Sequence, residues 1–271
     1  RLYAMLHAQS VDEYDFTYRM RDWMRGFELG LDRRMSGIFV GSTVHRDQLR
    51  AAGFQSPIHV VLLPLDKGSV QRTGSRPADK EKAVVYTGRL DKEKNPFFLL
   101  ETAREFLHRN PSWKWKVTTS GKSFRSGLPM ALGALTSYAQ DEPRFQMMAG
   151  LSKAEYYHEL KLARIQFNCS LQDYVSWTAL EADTFGCQLV YPDFRSFEEV
   201  YHIKHRYRAF DKEDALRALQ CAADQPALPT GSLSDLADMG RRLEGWIVST
   251  GYEGPELNIW HEAEYIRALL T

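Results

Sequence analysis

Residues 83–96 read AVVYTGRLDKEKNP, and this stretch decides the fold. Ala83 to Thr87 form a short apolar run, which predicts a buried strand. A charged turn follows over Gly88 to Lys94, and we predict a helix over Pro96 to His108 and a second strand over Lys114 to Thr119. A strand, a turn, a helix and another strand are the repeating unit of a parallel α/β sheet.

The same alternation continues on both sides of this stretch. Toward the C-terminus we predict strands over 145–148, 165–168 and 188–191, and helices over 153–163, 177–185, 212–223, 234–250 and 259–270. Toward the N-terminus we predict strands over 2–7, 38–42 and 59–63, an amphipathic helix over 18–34 and a short helix that ends at Gly53. We expect Trp23 and Phe27 in the core. The pattern predicts an α/β chain with two doubly wound half-domains, of which the first is incomplete.

A change of composition divides the chain. Residues 66–82 are rich in Lys, Gly, Ser, Arg, Pro and Asp, which is typical of an interdomain linker. We therefore predict an N-terminal part over 1–65, a larger domain over 83–250 and a terminal helix over 251–271. The sequence opens on a strand-like run without an initiator Met, so we expect the first half to begin upstream of Arg1.

Composition excludes several classes of protein. Of the 271 residues, 44% are hydrophobic and 26% are charged, which argues against a disordered, collagen-like or coiled-coil chain. Lys plus Arg and Asp plus Glu both total 35, so a broadly basic nucleic-acid surface is disfavoured. The three Cys are too few for a disulfide framework or a zinc site, and no run approaches the roughly 20 apolar residues of a transmembrane segment. We expect a cytoplasmic protein, and its oligomeric state stays open.

Two charged segments are candidates for chemistry. In the turn after the strand 83–87, Gly88 allows a close backbone approach, and Arg89 and Lys94 are the cations expected around two adjacent phosphates. The alternative is a solvated charged loop. In the second segment, a strand end leads through a polar loop with Asp173 into a helix with Glu181, where two carboxylates can accept hydrogen bonds from sugar hydroxyls. The alternatives are a cap or loop residue and an ordinary helix-surface carboxylate.

Together these two segments resemble the retaining GT-B glycosyltransferases of the glycosyltransferase family 4 type, also called glycosyl transferases group 1. The shared pattern is Gly88-Arg89 with Lys94, and then Asp173, seven residues, Glu181-Ala182 and a following glycine. The resemblance covers essentially the whole chain. It implies a GT-B fold with two Rossmann-like half-domains, the truncated first one (1–65) on the acceptor side and the second (83–250) binding the nucleotide sugar. The helix over 251–271 would return toward the first.

The resemblance also implies roles for single residues. Arg89 and Lys94 would neutralise the donor diphosphate, Glu181 would hold the ribose hydroxyls, and Asp173 would contact the transferred sugar. His7 matches a His near the reacting sugar, so the implied catalytic residues are His7, Arg89, Lys94 and Asp173. The other donor-binding positions are Gly88, and Gly150 and Leu151 near the base, and the backbone of Tyr174, Val175, Ser176, Trp177 and Thr178.

This sequence departs from the family pattern at two places. Asp173 stands where the family usually has Glu, and Tyr174-Val175-Ser176 stand where it usually has Gly-Phe-Gly. The resemblance implies a hexosyl- or pentosyltransferase that uses a UDP-, GDP- or ADP-linked sugar, with no cofactor and no obligatory metal. Because of the departures, an inactive nucleotide-sugar-binding module is the alternative.

The acceptor is not identified by the sequence. A modified base in DNA or tRNA is one acceptor class, suggested by the basic run over 202–208 and by Lys114, Lys116, Lys122 and Arg125. For the basic run, a solvated loop is the simpler interpretation. Asp12, Glu13 and Asp15 are interpreted as a solvated helix entry, with acceptor binding as the alternative.

Overall fold

We describe a computed structural model of the chain. It describes residues 2–61, 70, 79–119, 121–200 and 203–226. The helices predicted over 234–250 and 259–270 and most of the linker predicted over 66–82 lie outside the described residues. Within the described part, no helix is long and apolar enough to span a bilayer.

The N-terminal residues form a three-stranded parallel sheet in the order β1-β2-β3. Its strands are β1 (Tyr3–Leu6), β2 (Gly37–Val40) and β3 (Ile58–Val60). A 3₁₀ turn (Phe16–Met20) and helix α1 (Arg21–Asp32) connect β1 to β2, and α2 (Thr43–Ala51) connects β2 to β3. The predicted alternation of strand and helix is confirmed here. The small core of this N-terminal part is formed by Ile38, Val40, Leu49, Ala52, Phe54 and Ile58.

The remaining strands form a six-stranded parallel sheet in the order β6-β5-β4-β7-β8-β9. They are β4 (Glu81–Thr87), β5 (Lys114–Thr118), β6 (Phe145–Met148), β7 (Ala163–Phe167), β8 (Gln188–Asp193) and β9 (His205–Arg208). The helices are α3 (Pro96–Arg109), α4 (Pro129–Asp141), α5 (Lys153–Leu162), α6 (Trp177–Thr184), α7 (Phe197–Val200) and α8 (Lys212–Asp224).

Both faces of the central strand are buried, as in a doubly wound sheet. Val84 and Tyr86 of β4 pack into one core cluster with side chains of α3, α4 and α8, and Ala83 and Val85 pack into another with side chains of α5 and α6. Successive side chains of a strand point to opposite faces, so the continuous apolar run of β4 feeds both layers. The doubly wound α/β prediction is confirmed.

Two local predictions are wrong, and one helix was missed. Residues 205–208 form an edge strand rather than a solvated loop, because the buried His205 and Tyr207 alternate with the exposed Arg206 and Arg208. Helix α4 was not predicted. Trp23 and Phe27 are not core residues, since they are 62% and 59% exposed on the outer side of α1.

Candidate functional site

The candidate site lies where two loops meet at the carboxyl ends of β4 and β7. The strand order reverses between these strands, because the chain runs outward from β4 through β5 to β6 and then returns to β7. Ligands of open α/β sheets bind at such a switch point. In the loop after β7, the N–H of Leu171 donates to the carbonyl oxygen of Glu93, in the loop after β4, at 2.7 Å. This bond ties together the two loops that carry the predicted motifs.

Gly88 begins the first loop, directly after β4. Its N–H donates to the carbonyl oxygen of Thr118 at 3.3 Å, which extends the pairing of β4 with β5 by one residue. A Cβ atom at this position would lie 3.1 Å from the hydroxyl oxygen of Tyr86, tighter than ordinary van der Waals contact. The close approach of Tyr86 therefore favours glycine here.

Arg89 lies on the open side of the same loop. Its guanidinium is 2.7 Å from the Glu93 carboxylate and 3.5 Å from the Asp91 carboxylate. The Arg89 side chain is 55% exposed, whereas the Glu93 side chain is 10% exposed. A diphosphate would have to compete with these two carboxylates for the guanidinium. Because the Arg89 side chain is exposed, the guanidinium is free to turn toward a ligand.

Lys94 brings the two motifs into contact. Its ammonium group is 3.2 Å from Asp173 Oδ2 and donates to the carbonyl oxygen of Gln172 at 3.1 Å. The Lys94 side chain is nearly buried, so solvent screens this ion pair less than a surface pair. Asn95 follows with a left-handed φ of 51° and turns the chain into α3. The sequence analysis named Lys94 and Asp173 as candidate site residues, and the structure adds that the two form an ion pair.

Glu181 is the most enclosed of the predicted site residues with a charge. Its Oε1 accepts from Lys153 Nζ at 2.6 Å and from the Tyr157 hydroxyl at 3.0 Å, and its Oε2 accepts from the Tyr156 hydroxyl at 2.8 Å. Burial raises the pKa of Tyr156 well above its usual value, so this hydroxyl keeps its proton and donates. Glu181 is therefore not an ordinary helix-surface carboxylate. Its Oε2, with one partner, has more capacity for a further donor than Oε1.

Lys153, Tyr156 and Tyr157 are site residues that the sequence did not reveal. They lie on the first turns of α5, which begins with a capping box formed by Ser152 and Glu155. The capping box is a sequence signal for the start of α5, but nothing in the sequence places α5 against Glu181. The Lys153 ammonium also lies over the rings of Tyr156 and Tyr157, at 5.1 and 4.8 Å from their centroids.

Gly150 and Leu151 join β6 to α5, the helix whose first turns contact Glu181. Gly150 has a φ of +73°, which favours glycine, and its N–H donates to the carbonyl oxygen of Gly121 at 2.7 Å. Leu151 packs against the core cluster on the α5 side of the sheet. The segment at Gly121 and Lys122 thus borders the end of β6.

The five residues after Asp173, which were predicted to contact the donor through their backbone, lie in different environments. Tyr174 packs against helix α2 of the N-terminal part, where its ring stacks on His45 with 3.8 Å between centroids. Val175 is buried in the core, and Ser176 caps α6 by accepting from the N–H of Ala179. Trp177 is 39% exposed, and the Thr178 hydroxyl is 3.0 Å from that of Ser176.

His7 follows β1 and belongs to the same junction of the two sheets. Burial lowers its pKa, which favours the neutral imidazole. His7 is close enough to His45 for its charge to lower the pKa of that residue. The junction therefore places His7 near the stacked pair of His45 and Tyr174.

Asp12 and Asp15 are not solvated, contrary to the sequence-based interpretation. Asp12 is 3% exposed, and both of its oxygens accept from Arg195 Nη1, at 3.0 and 2.8 Å. Asp15 is 6% exposed and caps the 3₁₀ turn through the N–H of Thr17. Only Glu13 of the acidic group is exposed to solvent.

Part of the predicted basic surface is neutralised internally. Lys116 is 5% exposed and lies 2.6 Å from a carboxylate oxygen of Glu159. Arg208, on the edge strand β9, lies 2.6 Å from Asp211 and 3.2 Å from Asp214. These pairings reduce the positive potential that a nucleic-acid acceptor would meet.

Comparison with known proteins gives similarity in structure only. No protein-family model matches the sequence, and no curated protein matches it. Among solved structures, sucrose-phosphate synthase from Thermosynechococcus elongatus is similar with a TM-score of 0.71 and 14% identity, over 92% of this chain and 67% of that one. HepE from Anabaena, solved in complex with UDP and glucose, is similar with a TM-score of 0.62 and 13% identity, over 92% of this chain and 71% of that one.

TarM is a third similar structure, with a TM-score of 0.62 and 14% identity. The match covers 82% of this chain but only 43% of TarM, so the chain spans less than half of that protein's length. The described part of the chain has the parallel α/β architecture of the GT-B glycosyltransferase fold. The expected fold class is confirmed.

Proposed function

We propose that the chain is the donor-binding part of a glycosyltransferase that moves a sugar from a nucleoside diphosphate to an acceptor with retention of configuration. The observation that carries this proposal is the Lys94–Asp173 pair, which joins both motifs at the switch point of the sheet. A cation for phosphate and a carboxylate for sugar hydroxyls are needed side by side where the phosphate meets the sugar. The GT-B architecture supports the same function.

The proposed donor lies across the two loops, with its nucleoside toward α5. A ribose hydroxyl donates a hydrogen bond to Oε2 of Glu181, and Lys153 keeps the carboxylate oriented. Arg89 turns from Glu93 and Asp91 to the diphosphate, and Lys94 contributes a second positive charge. These two cations stabilise the charge that builds on the departing phosphate oxygen, which is the largest electrostatic demand of the reaction.

In the proposed transfer, the bond between the anomeric carbon and the diphosphate oxygen breaks while the acceptor hydroxyl forms a bond on the same face of the sugar. The proton of the acceptor hydroxyl passes to the departing phosphate oxygen. Asp173 accepts a hydrogen bond from a hydroxyl of the transferred sugar, and its pairing with Lys94 holds the carboxylate in place. His7 borders the acceptor side of the sugar.

A second candidate is a binding module that holds a nucleotide sugar without transferring it. The residues at 173–176 favour this candidate, because Asp173 is one methylene shorter than the usual Glu and Tyr174-Val175-Ser176 replace the usual Gly-Phe-Gly on the sugar side of the site. Slow release of free sugar from a donor is expected of the enzyme and not of the module. The nucleic-acid acceptor is the weaker option, because Lys116 and Arg208 are paired internally.

The test is a panel of UDP-, GDP- and ADP-linked sugars in thermal unfolding, followed by calorimetric binding and donor hydrolysis. A ligand at about one hundred times its Kd stabilises a protein by about 2.7 kcal/mol, which such a scan detects. Arg89→Ala and Glu181→Ala should abolish hydrolysis. Arg104→Ala, an exposed arginine on α3, is the matched control and should change neither binding nor hydrolysis.

Two results would refute the proposal. If none of the nucleotide sugars stabilises the parent protein, the chain does not bind this class of donor. If Arg89→Ala and Glu181→Ala both keep full hydrolysis with an unchanged fold, the roles assigned to these residues are wrong.

A further inference from the structure

A buried polar cluster connects the two sheets beside the candidate site. We call it the Tyr174 hub. The three-stranded side contributes Gln9, Asp12, His45 and Gln48, and the six-stranded side contributes Tyr174 and Arg195. Tyr174 directly follows Asp173, so the hub adjoins the residue that pairs with Lys94.

The Tyr174 hydroxyl is the centre of the hub. It accepts from Gln9 Nε2 at 2.8 Å, and it lies 2.8 Å from Gln48 Oε1 and 3.1 Å from Asp12 Oδ2, the two acceptors for its single proton. Burial raises the pKa of Tyr174, so the phenol keeps that proton. The ring of the same residue stacks on His45. One side chain of the six-stranded side thus makes contact with four residues of the three-stranded side.

Asp12 gives the hub a fixed charge pair. Burial raises the pKa of Asp12, but the N–H of Tyr14 and the Arg195 guanidinium lower it more, and the net shift is downward. The carboxylate is therefore ionised, and it accepts from Gln48 Nε2 as well as from Arg195. Because Arg195 follows β8 and Tyr174 follows β7, two neighbouring strand ends meet on one buried carboxylate.

Further bonds hold the same loop on both sides of Tyr174. The Gln172 side-chain amide donates to Asp15 Oδ2 at 3.3 Å. The Ser196 hydroxyl donates to the carbonyl oxygen of Asp173. Gln172 and Tyr174 are thus bonded to residues of the three-stranded side, and Asp173 between them is bonded to Ser196 after β8.

We propose that Tyr174 is a positioning residue, which holds Asp173 in place for sugar transfer by fastening its loop to α2 and to the segment after β1. This inference rests on the proposed function and names a residue that controls the sugar side of that site. The partners of Glu181, by contrast, all lie on α5, within the six-stranded side. Loss of the hub therefore impairs sugar transfer while nucleotide binding persists.

The first experiment compares Tyr174→Phe with the parent protein and with Tyr138→Phe, a tyrosine on α4 outside the site. The Phe variant keeps the aromatic ring for stacking but removes one hydrogen-bond partner from each of the buried side chains Gln9, Gln48 and Asp12. We expect hydrolysis of the donor that the panel selects to fall about tenfold or more, while the affinity for its nucleoside diphosphate stays within about twofold, since positioning errors act on the reacting geometry. Tyr138→Phe should match the parent protein in both measurements.

A second readout does not depend on catalysis. Amide hydrogen exchange over residues 171–175 should increase in Tyr174→Phe, while exchange in β4 stays at the parental rate. Gln48→Met removes a partner from the other side and should increase exchange in the same segment, which covers the case that Tyr174→Phe does not fold. A combined Tyr174→Phe and Asp12→Asn variant should increase it by less than the sum of the single changes, because both belong to one network.

The outcomes separate this inference from the proposed function. If the parent protein binds no nucleotide sugar, the function fails, and hydrogen exchange still decides whether Tyr174 fixes the loop. If hydrolysis and the affinity for the donor's nucleoside diphosphate fall together by the same factor, Tyr174 has a general structural role and the inference is overturned. Unchanged hydrolysis, or unchanged exchange over 171–175 in both Tyr174→Phe and Gln48→Met, would overturn it as well.

Discussion

Acid should destabilise this protein through His45. The imidazole is completely buried, and neither ring nitrogen has a hydrogen-bond partner among the described residues. Burial, with a smaller contribution from the charge of His7, lowers the pKa of His45 from 6.5 to about 3. The folded protein therefore keeps the ring neutral over a pH range in which the unfolded chain protonates it.

The sign and the size follow from linkage. Because the pKa is lower in the folded state, the unfolded state binds more protons between pH 6.5 and about pH 3, and stability falls as the pH decreases through this window. One proton changes the free energy of unfolding by about 1.36 kcal/mol per pH unit. Between about pH 7 and about pH 5, His45 alone should cost about 2 kcal/mol.

Urea unfolding of the parent protein and of His45→Phe at these two pH values measures this cost. Phenylalanine keeps the stack on Tyr174 and cannot be protonated, so the variant should lose about 2 kcal/mol less than the parent on acidification. Other buried histidines with a lowered pKa, such as His205, are present in both proteins and cancel in the difference. An equal loss in the two proteins would refute the reasoning and would mean that His45 has a proton partner in the folded state.

Three further substitutions test other parts of the structure. Asp12→Asn leaves Arg195 without its anion and should lower the free energy of unfolding by about 3 kcal/mol, and a loss below about 1 kcal/mol in urea would contradict a structural role for the pair. Gly150→Ala should cost about 1 kcal/mol in thermal unfolding because of its positive φ, whereas Gly133→Ala, within α4 and with open space around it, should stabilise by about the same amount. Glu181→Gln keeps an acceptor but loses the charge, so calorimetry should show an affinity about tenfold lower for the nucleoside diphosphate of the donor that binds, and an unchanged affinity would remove Glu181 from the site.

The positions of most strands could be predicted from local patterns. The run at 83–87 predicts β4 within two residues, and the predicted strand over 145–148 coincides with β6. Buried parallel strands are short, continuously apolar and bounded by turns, so the signal is contained in the strand itself. Arg89, Lys94 and Asp173 were predicted at the site for a similar reason, since all three follow strand ends.

What the sequence did not reveal depends on distant partners. Asp12 is buried because Arg195, 183 residues away, supplies its counter-charge. The spacing of Trp23 and Phe27 defines a helix face but does not say which face another element covers. In β9, buried and exposed residues alternate, but the basic side chains made the segment resemble a solvated loop. Its pairing with β8 identifies it as a strand.

The N-terminus of α2 has an acceptor on the other side of the junction. Besides its own Ser42, the helix is capped by Glu199 of α7, whose carboxylate accepts from the N–H groups of Thr43 and Val44 at 2.8 and 3.1 Å. Parting the sheets would leave this first turn without those acceptors and the Glu199 carboxylate without its donors. Helix α2, which packs beside the small sheet, thus depends for part of its stability on a residue of the larger half. We expect the two halves to unfold as a single cooperative unit.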